Sequence, residues 1–572
     1  MTDLEQLWRR KTDNELHAAA ARLHEYSEAS QEAVKAEIER RKGAEYLRSL
    51  PPAGNGARLQ QPQRRLEAPP GNVNSSAWVA QRALLALALM IGFYILAITI
   101  AAALLWIPYA EMAYMNRLDA RIAIACVGSA LAILWSLVPQ RDRFTPPGPQ
   151  LHESTSPRLF SLIRRVAAGT QQEMPADVYL VSDVNAFVTQ RGGVMGFGSR
   201  RVMGIGLPLL QSVSVPELEA IIAHEFGHYS SGDVALGPWI YKTRAAVMRT
   251  IANLRAGLVR APFLWYARQF LTLTHAVSRR QEYIADQVAA RVAGPDTMAS
   301  ALRRVAVAAP LYSAYLNQEV SPALTAGLIP PIAAGFTEFM AADRIGTTAR
   351  QILQASQSAA QTNVFDTHPS LAERLAALGV TVSTDGLADI GEPAAALLAN
   401  HEQYARALVA VTVGDEQFRK LTPIDWSAVG AAVYPPEWRL MVRHFAPFLS
   451  RYTADTLPDS RDAFIRAGSD LVREGEMNVT MDQRVARAAQ VFAVAVNLLL
   501  LDEGWQVSTG PGRPIVLVHG SDTFEPFSAI QALAAGTFGA ADWRVRCSAL
   551  GIAGRPLAGA ATLEPSSKTR VR

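Results

Sequence analysis

Residues 214–233 read SVPELEAIIAHEFGHYSSGD. On a helix, His224 and His228 stand four residues apart on one face, close enough for both imidazoles to hold one metal ion. Glu225 projects beside them, where a carboxylate can take a proton from a water held at that ion. The helix itself is well signalled. Ser214 with Glu217 three residues on makes a capping box, and Pro216 is tolerated in the first turn. Leu218, Ile221, Ile222 and Phe226 supply a buried stripe, and Gly232 a stop. The chemistry this points to is metal-assisted hydrolysis, in which the ion lowers the pKa of a bound water from 15.7 to about 7. The bland alternative is a pair of surface histidines on an amphipathic helix.

A hydrolytic metal site needs a third protein ligand and an open position for water. SRRQEYIADQVAARVAG, residues 278–294, places Glu282 and Asp286 four apart on a second helix. One carboxylate can bind the metal while the other steadies a ligand imidazole. Without the histidine helix, such a pair would read as a solvated face. His275 is a further ligand candidate, more readily read as part of an amphipathic helix. The two cysteines, Cys126 and Cys547, lie far apart. They exclude a cysteine-rich metal cage and suit a reducing compartment.

Taken together, HEFGHYSSGD and SRRQEYIAD resemble the paired motifs of the integral-membrane zinc peptidases that include the heat-shock protease HtpX and the type I CAAX prenyl endopeptidase. Two further segments carry the resemblance: NAFVTQRGGVMGFGSRRVMGIGLPLL upstream and THPSLAERLAAL, residues 367–378, downstream. The four stand in the family's order. The resemblance implies a gluzincin-type site with one Zn2+ per chain on His224, His228 and Glu282, and Glu225 as the base. It places Asp286 and Asp233 just outside the ligands. It also implies that His368 and Arg374 face the site and assist the charge developing on the substrate carbonyl. Asn185, Ala186 and Phe187 would form an exposed edge strand to which an extended peptide adds through its backbone.

The elements that must position these groups follow from composition. Residues 1–49 are charged throughout and read as an amphipathic helical segment, without a signal peptide's apolar core. Residues 50–82 read as a flexible linker rich in Pro and Gly. Residues 83–107 hold no charge in 25 positions and suffice to cross a ~30 Å hydrocarbon layer. With 122–139 they predict a transmembrane helical hairpin joined by PYAEMAYMNRLDAR. A zinc metallopeptidase domain is expected over 150–380, with an amphipathic helix in SPRLFSLIRRVAAGTQQ and short strands in DVYLVS, NAFVTQ and GFGSRRVMGIG. The predicted class is mainly α with a small β-sheet (α+β).

Residues 235–275, between the two metal motifs, carry six basic residues and no acidic one. Lys242, Arg244, Arg249, Arg255, Arg260 and Arg268 interrupt every apolar run and argue against a span. A helix over 240–260 would set Ile240, Val247, Ile251, Leu254 and Leu258 opposite Lys242, Arg249 and Arg260. That apolar face suits the surface of an anionic membrane; packing on the peptidase domain is the alternative. The C-terminal region, 381–572, reads as helices followed by strands in 505–552. Its IVLVHGSDTF has the look of an α/β-hydrolase turn, but the chain has no G-x-S-x-G elbow.

A net charge of +4 argues against nucleic-acid binding. The expected protein is a membrane-anchored zinc endopeptidase, multi-pass in the cell membrane, with both termini and the peptidase domain cytoplasmic. Its partners would be membrane lipids and membrane-proximal or misfolded protein substrates, with oligomerisation open. The alternatives are a processing enzyme for one lipidated or membrane substrate and a scaffold built on an inactive peptidase fold. Four intact site residues argue against the scaffold.

Overall fold

The computed structural model describes residues 40, 76–138, 144–192, 199–230, 237–254, 257–358, 368–380, 391–472 and 479–561. The helical segment expected over 1–49 lies outside these, Arg40 apart, as do linker residues 50–75. The chain divides into two compact units, residues 65–422 and residues 423–572 with 1–64. The fold is mainly α with small sheets, as the sequence predicts.

The first unit opens on a helical hairpin, α1 (Ser76–Met115) and α2 (Ala120–Leu137). Leu87–Met115 and Ala120–Leu137 are each long and apolar enough to cross a membrane. α1 begins inside the expected linker and continues through Pro108 to Met115, so the connection shrinks from 108–121 to four residues, 116–119. Asn116 takes the left-handed conformation that reverses the chain (φ 45°). Asp119 then caps α2, accepting from the amides of Arg121 at 2.8 Å and Ile122 at 3.3 Å.

β1 (Gln150–Leu151), α3 (Pro157–Gly169), β2 (Asp177–Val181), β3 (Ala186–Arg191) and β4 (Arg200–Gly206) follow. The four strands form one sheet in the order β1-β2-β4-β3. β2 and β4 pair in parallel, Asp177 with Val202 through Val181 with Gly206. β3 pairs antiparallel with β4 and is the outer strand. α3 buries Leu159, Leu162, Ile163 and Val166, the stripe its 3.6-residue period predicts. After the short α4 (Leu207–Ser212) comes α5 (Val215–Ser230), the helix of the histidine motif. Its capping box forms: Glu217 Oε2 accepts from the Ser214 amide at 2.7 Å, and the Glu217 amide reaches Ser214 Oγ at 3.4 Å.

The basic stretch forms α6 (Gly237–Asn253) and the start of α7 (Gly257–Ala293). Val247, Ile251 and Leu254 are buried, but against the apolar hairpin. They share a core there with Phe93, Ile133 and Phe263. The described part of that face thus packs on α1 and α2, while the side chains of Ile240 and Leu258 are not among those described. Tyr266 donates to the Leu89 carbonyl. A Cβ at Gly92 would meet that hydroxyl at 2.8 Å, so glycine permits the close crossing. α8 (Pro295–Tyr315), α9 (Ile332–Ala341), α10 (Asp343–Ser358), α11 (Leu371–Ala377) and α12 (His401–Val413) complete the larger helices of this unit.

The second unit is built around α15 (Met481–Asp502), flanked by α13 (Trp426–His444) and α14 (Arg461–Ser469). α15 is also long and apolar enough to cross a membrane, but Ala488 through Leu500 are buried as the unit's core. β5 (Gln506–Ser508), β6 (Val516–His519) and β7 (Asp522–Phe524) make an antiparallel meander. The expected strands stop there. Pro526 opens α16 (Pro526–Ala535), Gly536 ends it in the left-handed conformation (φ 73°), and α17 (Ala540–Ala549) follows. Cys547 therefore sits buried in a helix, its thiol pushed up to about 12 by burial.

Candidate active site

α5 and α7 bring the two motifs together, and they pass close to one another at Gly227. A Cβ there would meet the Ala285 Cα at 2.8 Å and its Cβ at 3.2 Å, so the residue between Phe226 and His228 must be small. Sequence reasoning passed over Gly227; its signal was a glycine inside a helix, where it costs about 1 kcal/mol unless packing requires it.

At this crossing His224, His228 and Glu282 each offer a ligand atom, all within 4.8 Å of one another. His224 Nε2 lies 3.5 Å from Glu282 Oε2, and His228 Nε2 lies 3.8 Å from Glu282 Oε1. Two ligands on one tetrahedral zinc, each about 2.1 Å from it, stand about 3.4 Å apart, so the spacing fits a single ion. Among the described residues, buried Glu282 Oε2 has no hydrogen-bond partner and only long ion pairs to His224 and Arg374, so a cation could bind it closely. The donor set of two imidazoles and a carboxylate is one that zinc accepts.

Asp286 is 1% exposed and orients the first histidine. His224 Nδ1 donates to Asp286 Oδ1 at 2.9 Å, which turns Nε2 toward Glu282. Arg374 grips the same carboxylate at both oxygens, Nε to Oδ2 at 2.8 Å and Nη2 to Oδ1 at 2.5 Å. The guanidinium thus stands at the Nδ1 edge of His224, away from Nε2, although Nη2 also lies 3.6 Å from Glu282 Oε2. His368 places Nδ1 2.9 Å from Glu282 Oε1 and leaves 65% of its side chain exposed, facing solvent at the mouth of the group. Arg374 lies on α11, whose capping box is Ser370 with Glu373, and His368 stands two residues before that cap.

The electrostatics separate these groups. Burial pushes the Glu225 carboxyl up to about 7, against the pull of His224. Burial also opposes charge on His224, but Asp286 and Glu282 outweigh it and hold the imidazole at about 9 in the metal-free protein. Burial and the neighbouring His224 bring His228 down to about 4. Glu282 and Asp286 are raised by burial yet held well below the usual carboxylate range, Glu282 by His224 and His368, Asp286 by Arg374 and His224.

The structure also shows how α5 is anchored. Glu217 is 4% exposed and accepts from Ser300 Oγ at 2.6 Å and Arg304 Nε at 2.7 Å, both on α8. Tyr229, next to the second histidine, donates to the Val188 carbonyl at 2.8 Å and ties α5 to the outer strand β3. Arg201 covers its ring at 4.7 Å. Neither tie was legible beforehand. Ala186 and Phe187 lie on β3, with the Phe187 ring across Gly204 of β4, and Asn185 immediately precedes the strand. Asp233 lies outside the described residues. His275 lies on α7, and its side chain is not among those described.

Residues 153–382 match the model of peptidase family M48. The chain is similar to the protease HtpX homologue of Burkholderia multivorans, 26% identical over 249 residues, covering 40% of this chain and 75% of that protein. It is 30% identical to protease HtpX of Erwinia tasmaniensis over 192 residues, 28% of this chain and 61% of that one. The HtpX homologue of Thermodesulfovibrio yellowstonii is 25% identical over 254 residues, 40% and 77% of the two chains. No solved structure matches. A histidine pair and a carboxylate on crossed helices, beside an apolar hairpin, define a membrane-associated metallopeptidase. Over residues 153–382 the chain is similar to the M48 peptidases and to HtpX proteases.

Proposed function

We propose that the chain is a membrane-anchored zinc endopeptidase that cleaves membrane-proximal or misfolded proteins. The observation that carries this reading is the His224–His228–Glu282 group, with His224 and Glu282 buried and His228 half-buried, and Glu225 beside it. A zinc ion on those three side chains would supply the Lewis acidity that activates a water and polarises the scissile carbonyl. Glu225, beside the ligand pair, would take the water's proton and pass it to the leaving amine. His368, exposed beside Glu282, is the side chain best placed to donate to the carbonyl oxygen. Arg374 acts through Asp286, fixing the imidazole of His224, and is a positioning residue in this reading.

β3 is the strand to which an extended substrate would add, with Asn185, Ala186 and Phe187 at its entry. Backbone recognition is broad, so location and unfolding would choose the substrate. α1 and α2 would hold the peptidase at the membrane, with both termini and the active site on the cytoplasmic side. The experiment uses the purified full chain in detergent with an unfolded protein substrate. Chelation should abolish cleavage, and one equivalent of zinc should restore it. Cleavage that persists after the chain is shown to be metal-free contradicts the proposal.

A further inference from the structure

α6 and α7 have one face committed to the apolar hairpin and an opposite face left open. The committed face fixes their depth. Tyr266 bonds to the carbonyl of Leu89, near the start of the apolar stretch Leu87–Met115. Asn253 Nδ2 donates to Ser136 Oγ at 3.0 Å and Arg249 Nη2 to the Ser136 carbonyl at 3.3 Å, one residue from the end of α2. In an antiparallel hairpin these two points are the same end, the one from which the chain leads into the peptidase fold. The contacts hold this part of α6 and α7 at that end of the spans, where headgroups begin.

The open face carries Met248, Leu264 and Trp265, exposed by 52%, 40% and 63%. Exposed Arg244 stands one turn before Met248, and exposed Arg260 one turn before Leu264. Residues 235–275 contain no acidic side chain to neutralise them. Scattered apolar residues are ordinary on a wetted surface. At headgroup depth, interleaved with cations, they form the pattern of a helix lying in the interface. Tryptophan seats among the headgroups there, and arginine stems run along the apolar boundary toward phosphate.

We propose that this outward face of α6 and α7 is a docking surface for anionic phospholipid headgroups of the bilayer that α1 and α2 cross. The idea rests on reading those two helices as membrane-spanning. It gives the enzyme a defined height. α7 is one continuous helix of 37 residues from this face to Glu282 and Asp286. Trp265 to Glu282 therefore spans at most about 26 Å at 1.5 Å per residue. Substrates within that reach of the bilayer surface are the ones presented to the metal.

The test uses the full chain in vesicles. Cys126 and Cys547 are both buried, so a cysteine introduced at Trp265→Cys, Met248→Cys or Ile98→Cys takes a nitroxide label selectively. Labels at 265 and 248 should be shielded from a water-soluble nickel chelate and open to oxygen, as at a headgroup boundary. Ile98, on the exposed side of α1, reports the span itself. Spin-labelled phosphatidylglycerol should associate in preference to phosphatidylcholine. Arg244→Gln and Arg260→Gln should each cut that preference about fivefold, the equivalent of about 1 kcal/mol per basic residue near an anionic surface. Full nickel access at 265 and 248 with a protected label at 98 overturns the proposal alone, as does unchanged lipid preference in the double variant. Access at 98 as well overturns the membrane reading beneath it.

Discussion

His224 and Asp286 set the first prediction. A metal ligand must be the neutral imidazole, yet in the metal-free protein His224 is held at about 9. His228, at about 4, is already neutral at pH 7, and Glu282 is already ionised. Zinc uptake near pH 7.5 should therefore release about one proton from the ligand set, and affinity should rise with pH until about 9. Titration calorimetry in buffers of different ionisation enthalpy reads the proton count directly; zero released protons would refute the assignment. The linked stability has a definite sign. The raised His224 stabilises the metal-free fold fully below about 6.5 and loses that contribution as pH rises through about 9. The second prediction concerns Arg374, which the family resemblance places at the substrate. Its guanidinium is committed to Asp286. Arg374→Ala should weaken zinc about 10–100-fold, the usual cost of losing an outer partner of a ligand. An unchanged affinity with a lower kcat would return it to a transition-state role.

At the scale of elements, Gly227 governs how closely α5 and α7 cross. Gly227→Ala must push the helices apart or strain them, at about 1–3 kcal/mol for an overpacked core. Zinc affinity and thermal stability should fall together; normal values of both would mean the crossing tolerates a methyl. This level also shows what a sequence can and cannot disclose. The candidate metal group was legible because its parts are local: i, i+4 pairs on two helices with strong caps and stripes. Arg374's partner was not, because a bidentate bond across 88 residues leaves no local mark. The basic stretch was misread for a related reason. Val247, Ile251 and Leu254 give the correct helical face, but periodicity cannot say that α1 and α2 cover it. Cys547 fell in an expected strand because short apolar runs fit strand and helix alike until Pro526 and Gly536 are seen punctuating them.

The whole molecule comprises two units with separate cores, and the candidate metal group lies wholly in the first. A ligand stabilises the unit that binds it, by RT ln(1 + [L]/Kd). Calorimetry of the full chain should show two transitions, and chelation should lower one of them. A metal at a hundred times its Kd contributes about 2.7 kcal/mol, so the shift is measurable. Movement of both transitions together would show that the units unfold as one. The role of α15 also becomes clear at this scale. Composition ranks it with α1 and α2 as a possible span, whereas its neighbours bury it as a core.

In the proposed reading Glu225 does chemistry at a metal held by its neighbours. This is tested most directly by measuring zinc content and peptide-bond hydrolysis together in the Glu225→Gln chain. The amide keeps the size of the side chain and removes its basicity. One zinc per chain is expected, as in the parent, with turnover reduced at least 10²–10⁴-fold, the range for a lost acid–base group. Turnover close to the parent's in a fully loaded variant would contradict it.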